Sequence, residues 1–393
     1  MTRYRNLLRV FLVVLTTAGA SGYAAEPHLS FRDVYVGNAE GYHTYRIPAI
    51  ATTQSGALLA FAEGRSSRSD HARNDIVLKR STDNGVTWEP LQVVAADGDN
   101  ALNNPCVVVV RETGRVLLMF QRYPRETGGE RGVVPGVTGE MICKNILVQS
   151  DNEGRTWSAW SDITPATKRP VVVTSIASGP GNGIQLRHGN YAGRVIMPFN
   201  QGPYGEWRVY AVFSDDFGKT WAYGNVAPNR DGEGLGNEVQ MAELADGSIR
   251  INARSHNGSN HRKTAVSTDG GQNWTPLQDV KDQPEPQCNG AFIRFSDASA
   301  GEKGRLLYTG PASTNSRTRG TAFLSYDDGE TWPIKNEIEH GKFAYSALTR
   351  TADGNAACLF ESGAKDAYGV IRLAVFNLEW LTDGEDRLKS RGE

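Results

Sequence analysis

Ser81-Thr-Asp-Asn-Gly-Val-Thr-Trp88 is an eight-residue phrase that returns four more times: Ser150–Trp157 (SDNEGRTW), Ser214–Trp221 (SDDFGKTW), Ser267–Trp274 (STDGGQNW) and Ser325–Trp332 (SYDDGETW). Its starts lie 53 to 69 residues apart, a period expected of a radial array built from repeated sheets. The Asp and Gly suit a tight turn in which the carboxylate accepts backbone N–H groups and Gly takes positive φ. The Trp supplies a large apolar anchor between neighbouring sheets. Two copies depart from the pattern, with Asn152 in place of the acid and Asn273 in place of Thr. This phrase reads as scaffold.

Outward from each copy, short apolar runs bounded by Gly, Asp and Asn read as strands. Leu58–Arg65 and Ile76–Arg80 precede the first copy, and equivalent pairs precede the others. A sixth pair, Ala356–Glu361 and Val370–Asn377, has no phrase after it. One further candidate strand leads each pair, from Arg46–Ala51 through Pro105–Val110, Gly181–Leu186, Glu238–Leu244 and Ala291–Phe295 to Tyr345–Thr349. With a weaker fourth strand after each phrase, the reading is an all-β, six-bladed β-propeller of four-stranded antiparallel sheets. Phe31–Val36 and Leu373–Trp380 are expected to close the ring.

The 393 residues carry 42 Lys and Arg against 44 Asp and Glu, which gives no electrostatic footprint for nucleic acid. Arg3, Arg5 and Arg9 precede an apolar stretch Val10–Ala18 and then small residues, so residues 1–24 read as a signal peptide cut before Ala25. The protein is therefore expected to be exported, secreted or periplasmic, with no transmembrane segment in the mature chain. The propeller is assigned to 28–385 and a polar C-terminal tail to 386–393. Cys106, Cys143, Cys288 and Cys358 are too scattered for a disulfide framework or a metal site and read as buried packing residues. No metal and no cofactor is expected.

Strand alternation assigns faces. The start of a unit's first strand, the end of its second and the start of its third share one end of the disc, and the phrase lies at the other. The phrase-free end collects Arg46, Glu238 and Tyr345 from first strands, Arg65, Arg254 and Glu361 from second strands, and Asp70 and Arg317 from the loops after them. Four Arg at one place describe an anion site, because guanidinium groups stay charged and bind carboxylate or phosphate through paired N–H donors. A Tyr beside a Glu suggests an activated phenol, and an Asp on a rim loop suits proton donation to a leaving group.

At these residues the chain resembles the exo-α-sialidases, retaining glycoside hydrolases of the bacterial and animal neuraminidase superfamily. The five phrases resemble that family's Asp boxes, and Tyr45-Arg46-Ile47-Pro48 its Arg-Ile-Pro motif, together with Asn237-Glu238, Asn252-Ala253-Arg254 and Tyr345-Ser346. The resemblance implies that Arg46, Arg254 and Arg317 hold the carboxylate of sialic acid, with Arg319 a competitor for the third place. It implies Arg65 at the sugar's 4-position, Asp70 as acid/base, Glu238 and Tyr345 as the nucleophile pair, and Glu361 as the brace of Arg46. Sialylated glycans are the implied partners. Other readings are a hydrolase for a deaminated sialic acid, a non-catalytic sialoglycan-binding propeller, and a transferase. The Arg cluster is expected to lower the pKa of the Tyr345 phenol. The Gly- and Pro-rich segment Tyr123–Lys144 follows a second strand, which places it over the same end.

Overall fold

The structure, a computed structural model, describes residues 25–389. The leader assigned to residues 1–24 and the last four residues of the tail lie outside them. Apart from short helical turns such as Thr164–Thr167 and Leu378–Leu381, the regular elements are β-strands, arranged as a β-propeller. None of the described helices is long and apolar enough to cross a membrane.

Six separate four-stranded sheets are not what forms. The strands pair into five hydrogen-bonded sheets, four of them blade-sized with four or five strands and the fifth running through nine. The nine-stranded sheet spans the first two sequence units, and its cause is local. The fourth strand of the first unit, Gln92–Ala95, covers only Ile76–Leu78 of Asn74–Ser81. The start of that strand stays open, and Ala101 pairs with Asn74 in parallel, joining the second unit to the first. The third unit departs too. Its expected first strand, Gly181–Leu186, is split: Ile184–Gln185 pairs with Val195–Gln201, whereas Gly181–Asn182 pairs with Cys106 and Val107 of the neighbouring sheet. Gly179 and Gly181 both have positive φ, which breaks the run. The six-bladed count is thereby corrected.

The innermost strands pack around the axis, Thr44–Thr52 between Ala101–Val109 and Ser346–Arg350, and Ala291–Ser296 between Ser346–Arg350 and Leu235–Glu243. Facing sheets interlock through apolar side chains; Leu117 and Met119 of one meet Val195, Met197 and Tyr210 of the next. Leu29–Val36, from the N-terminal end of the described chain, pairs antiparallel with Val370–Phe376 and closes the ring. Asp386 lies beyond the boundary drawn for the propeller, yet it is buried in a two-bond ion pair with Arg305, both bonds 2.7 Å.

Each eight-residue phrase is a closed turn. In the first, Ser81 Oγ donates to Asp83 Oδ1 and accepts from Gly85 N, while Thr87 N and Oγ1 donate to the two Asp83 oxygens. Asn152 replaces the acid without loss, accepting from Thr156 N and donating to Thr156 Oγ1, and Asn273 Nδ2 stands in for the Thr hydroxyl. Gly85 needs its φ of 89°, and a Cβ there would lie 2.3 Å from Leu373. Trp157 packs edge-on to Phe61 of the preceding unit at 5.8 Å. All four cysteines are buried and free.

Candidate active site

Three inner strands carry a β-bulge at the same end, between Arg46 and Ala49, Asn103 and Cys106, and Gly236 and Val239. The strands begin earlier than the sequence pattern indicates, at Thr44, Ala101 and Leu235, so Arg46 and Glu238 sit at bulges within strands. A bulge turns one side chain out of register and toward the axis. At the first bulge Ile47 takes φ 59°, a strained value for a β-branched residue. Its N–H donates to Glu361 Oε1 at 2.8 Å, so the strain is tied down from the neighbouring sheet.

Glu361 is fully buried. It accepts Arg46 Nε at 3.0 Å and Arg46 Nη2 at 3.2 Å, and the Tyr345 backbone N–H at 3.3 Å. The third Arg46 nitrogen, Nη1, donates to Asp70 Oδ1 at 3.0 Å. Asp70 Oδ1 also accepts Arg65 Nη1 at 2.7 Å, and Arg65 is in turn held by Glu63 at 2.7 Å through Nε. Partial desolvation by its neighbours would raise the Asp70 pKa, yet Arg65 and Arg46 hold it at about 2.

Tyr345 stands just before its strand, with its ring between Arg46 at 5.1 Å and Arg317 at 5.2 Å. Its hydroxyl donates to Glu238 Oε1 at 2.5 Å and accepts from Arg254 Nη1 at 2.9 Å. Arg254 Nη1 also reaches Glu238 Oε2 at 2.8 Å. The phenol pKa runs opposite to the expectation. Burial first, and then the Glu238 carboxylate, raise it well above the usual value, and these outweigh Arg254, Arg317 and Arg46. The phenol is therefore neutral in this pocket, with its proton directed at Glu238.

Arg317 is fixed by Tyr368 Oη and the Gln287 carbonyl, each 2.9 Å away. Arg319 is 60% exposed and pairs with Glu337 instead, on the outer side of the sheet. Arg46, Arg65, Asp70, Glu238, Arg254 and Tyr345 line one pocket of about 190 Å³, with Arg317 against the Tyr345 ring and Glu361 bonded to Arg46.

The sequence reading missed the opposite wall. Asn200, Tyr204 and Trp207 line it from the third unit, with His256 beside them and Asn103 and Asn104 below. Asn200 ends a second strand, Val195–Gln201, and Tyr204 and Trp207 lie in the loop that follows; strand alternation applied to that unit would have found all three. Glu130, on the segment Tyr123–Lys144, also lines the pocket, and its N–H donates to His71 Nε2 at 3.3 Å. Burial, with Glu238 and Asp70 nearby, pushes the Glu130 carboxyl up to about 7. Glu63 lies within Leu58–Arg65, and its role in orienting Arg65 follows from packing that the strand pattern does not record.

Residues 56–358 match the family described as BNR repeat-like domain. The chain is 37% identical to a sialidase of Micromonospora viridifaciens over 95% of its length. It spans about three fifths of that relative, 59%. It is 30% identical to mouse Sialidase-2, with 86% of this chain and 93% of that protein covered. Among solved structures, the Hadza microbial sialidase Hz136 superposes with a TM-score of 0.81 at 29% identity, over 90% of this chain and 69% of that one.

Proposed function

The chain belongs to the sialidase family, and from that membership we propose that it is an exo-α-sialidase, releasing terminal α-linked sialic acids from glycoconjugates with retained configuration. The observation that carries the reading is the Tyr345–Glu238–Arg254 contact set, a neutral phenol with a carboxylate acceptor 2.5 Å away inside a pocket of arginines. Sialic acid bears a carboxylate on its anomeric carbon. A carboxylate nucleophile would meet that charge unfavourably, whereas a phenol meets it neutral; sialidases are the recognised exception to two-carboxylate glycosidase chemistry.

In this proposal Arg46, Arg254 and Arg317 bind the substrate carboxylate, and Arg65 faces the 4-position. Tyr345 attacks the anomeric carbon as its proton passes to Glu238. Asp70 gives a proton to the departing glycosidic oxygen, then takes one from the water that displaces Tyr345 from the anomeric carbon, while Glu238 returns its proton to the phenoxide. Arg46 and Arg65 both hold Asp70 in its ionised form. A substrate carboxylate on Arg46 competes for the same Nη1 donor, loosens Asp70 and raises its pKa, so binding prepares the acid.

The test is to incubate the protein with fluorogenic N-acetylneuraminic and deaminated sialosides side by side. Hydrolysis of the first supports the proposal; hydrolysis of the second alone moves the substrate to the deaminated sugar. Binding of both with no turnover would leave a sialoglycan-binding propeller. Export through residues 1–24 is also proposed, on the Arg-flanked apolar stretch. A mature protein whose first residue is Ala25, read by mass spectrometry of the exported fraction, checks it.

A further inference from the structure

The opposite mouth of the axial channel carries a second convergence of arginines. The inner strands that present Arg46, Glu238 and Tyr345 at one end finish at Thr52, Glu243 and Arg350 at the other. There a cavity of roughly 260 Å³ is lined by Arg111, Arg187, Arg294 and Arg350.

A chain of contacts ties the four around one opening. Arg111 donates to the Gln185 and Leu186 carbonyls, both at 2.7 Å, immediately before Arg187. The Arg187 and His188 N–H groups donate to Glu243 within 2.9 Å, and Arg294 Nε donates to the Glu243 carbonyl at 2.9 Å. Arg350 reaches the adjoining Phe295 carbonyl at 3.4 Å.

Their charges are poorly balanced. Arg294 has Asp328 at 2.5 Å. Among the described residues, the ion pairs within 4.0 Å include none for Arg111, Arg187 or Arg350. The one carboxylate in the cavity, Glu243, is committed to backbone N–H groups. The nearby acids are engaged as well, Glu112 with Gln185 and Glu302 with Arg305. Arg187 acts against both neighbours: burial first, with Arg187 among the repelling charges, depresses the pKa of Arg111 and of Arg350.

We propose that this rear mouth is a binding site for a small multivalent oxyanion of the phosphate type, gripped by Arg187 between Arg111 and Arg350. Guanidinium groups that outnumber the carboxylates beside them repel one another and are well suited to paired hydrogen bonds with an oxyanion. An anion there joins the inner ends of several sheets, so it stabilises the folded ring by mass action. It is separate from the pocket of Tyr345 and does not depend on the hydrolytic reading.

The full chain is titrated with inorganic pyrophosphate, with acetate as control, and binding and Tm are followed. Wild type is expected to bind saturably, with Tm rising on the order of 2 °C. Arg187→Gln and Arg350→Gln should each weaken binding about tenfold or more, the loss of a charge-assisted contact. In anion-free buffer neither should melt below wild type, since a repelling charge has gone. Arg317→Ala, altered at the front pocket, should keep the response. A second arm uses vesicles containing phosphatidylglycerol; cosedimentation abolished by Arg187→Gln assigns the anion to a lipid headgroup. Pyrophosphate binding that Arg187→Gln leaves intact, or that Arg317→Ala removes, overturns the proposal. So does the absence of binding in both arms.

Discussion

Tyr345 and Glu238 share a hydrogen bond of 2.5 Å although they lie 107 positions apart and on different sheets. The phenol stays neutral because burial opposes its anion, and Glu238 is the only carboxylate its hydroxyl contacts among the described residues. Tyr345→Phe should therefore lose at least about a thousandfold in kcat, with Tm within a degree or so of wild type. Turnover of a fluorogenic sialoside alongside a melting curve checks it; undiminished turnover would remove Tyr345 from the reaction.

Asp70 lies on the rim, with its side chain 65% exposed and held by two arginines. Asp70→Asn should lower kcat on natural glycans by about a hundredfold or more, the usual worth of a positioned acid. On an aryl sialoside, whose leaving group needs no proton, the loss of the cleavage step should be much smaller. The ratio of the two losses is the measurement.

Glu361 supports Arg46, Ile47 and Tyr345 at once from a fully buried position. Glu361→Gln leaves Arg46 without its buried partner and should cost about 3 kcal/mol of unfolding free energy. Arg46 then loses its fixed aim, so KM should rise as well. Denaturant unfolding and steady-state kinetics on the same preparation separate the two effects.

Glu130 has a carboxyl raised to about 7 from the ordinary value of about 4.3. A carboxyl raised on folding contributes stability that is fully present below its unfolded pKa and is lost as pH rises through 7. Ionised Glu130 also faces an anionic substrate, so KM should climb between pH 6 and 8. Glu130→Gln should flatten both trends; KM and Tm profiles over that range decide it.

Asp386 gives the opposite sign. Burial would raise its carboxyl, but Arg305 and Tyr326 hold it at about 2. The stability it supplies is present above about 4 and disappears as pH falls toward 2. Asp386→Asn should melt well below wild type at pH 6, and the gap should close on acidification.

Much of the active end was legible because strand alternation is strict: a residue at the start of a first strand and one at the end of a second must share a face. That placed Arg46, Arg65, Glu238, Arg254, Tyr345 and Glu361 together. Arginine convergence alone was less discriminating than it looked, since Arg111, Arg187, Arg294 and Arg350 gather at the other mouth. The Tyr345–Glu238 pair separates the two ends. The blade count failed where pairing is decided by a single bridge, Asn74 with Ala101, which no periodicity records. The phenol's pKa failed because burial depth, the largest influence on Tyr345, belongs to the packed ring and not to the order of residues.

The strand Leu29–Val36 completes the sheet that also contains Ser346–Arg350 and Ala356–Ser362. Tyr345, one residue before Ser346, and its partner Glu361 thus belong to the one sheet assembled from both ends of the described chain. As the chain emerges from its N-terminus, that sheet is the last to be finished. A growing chain that has reached Glu238 but not Tyr345 holds Arg46, Asp70 and Glu238 without the phenol they meet. The sheet beside Tyr345 is therefore complete only when the first described strand pairs with the last.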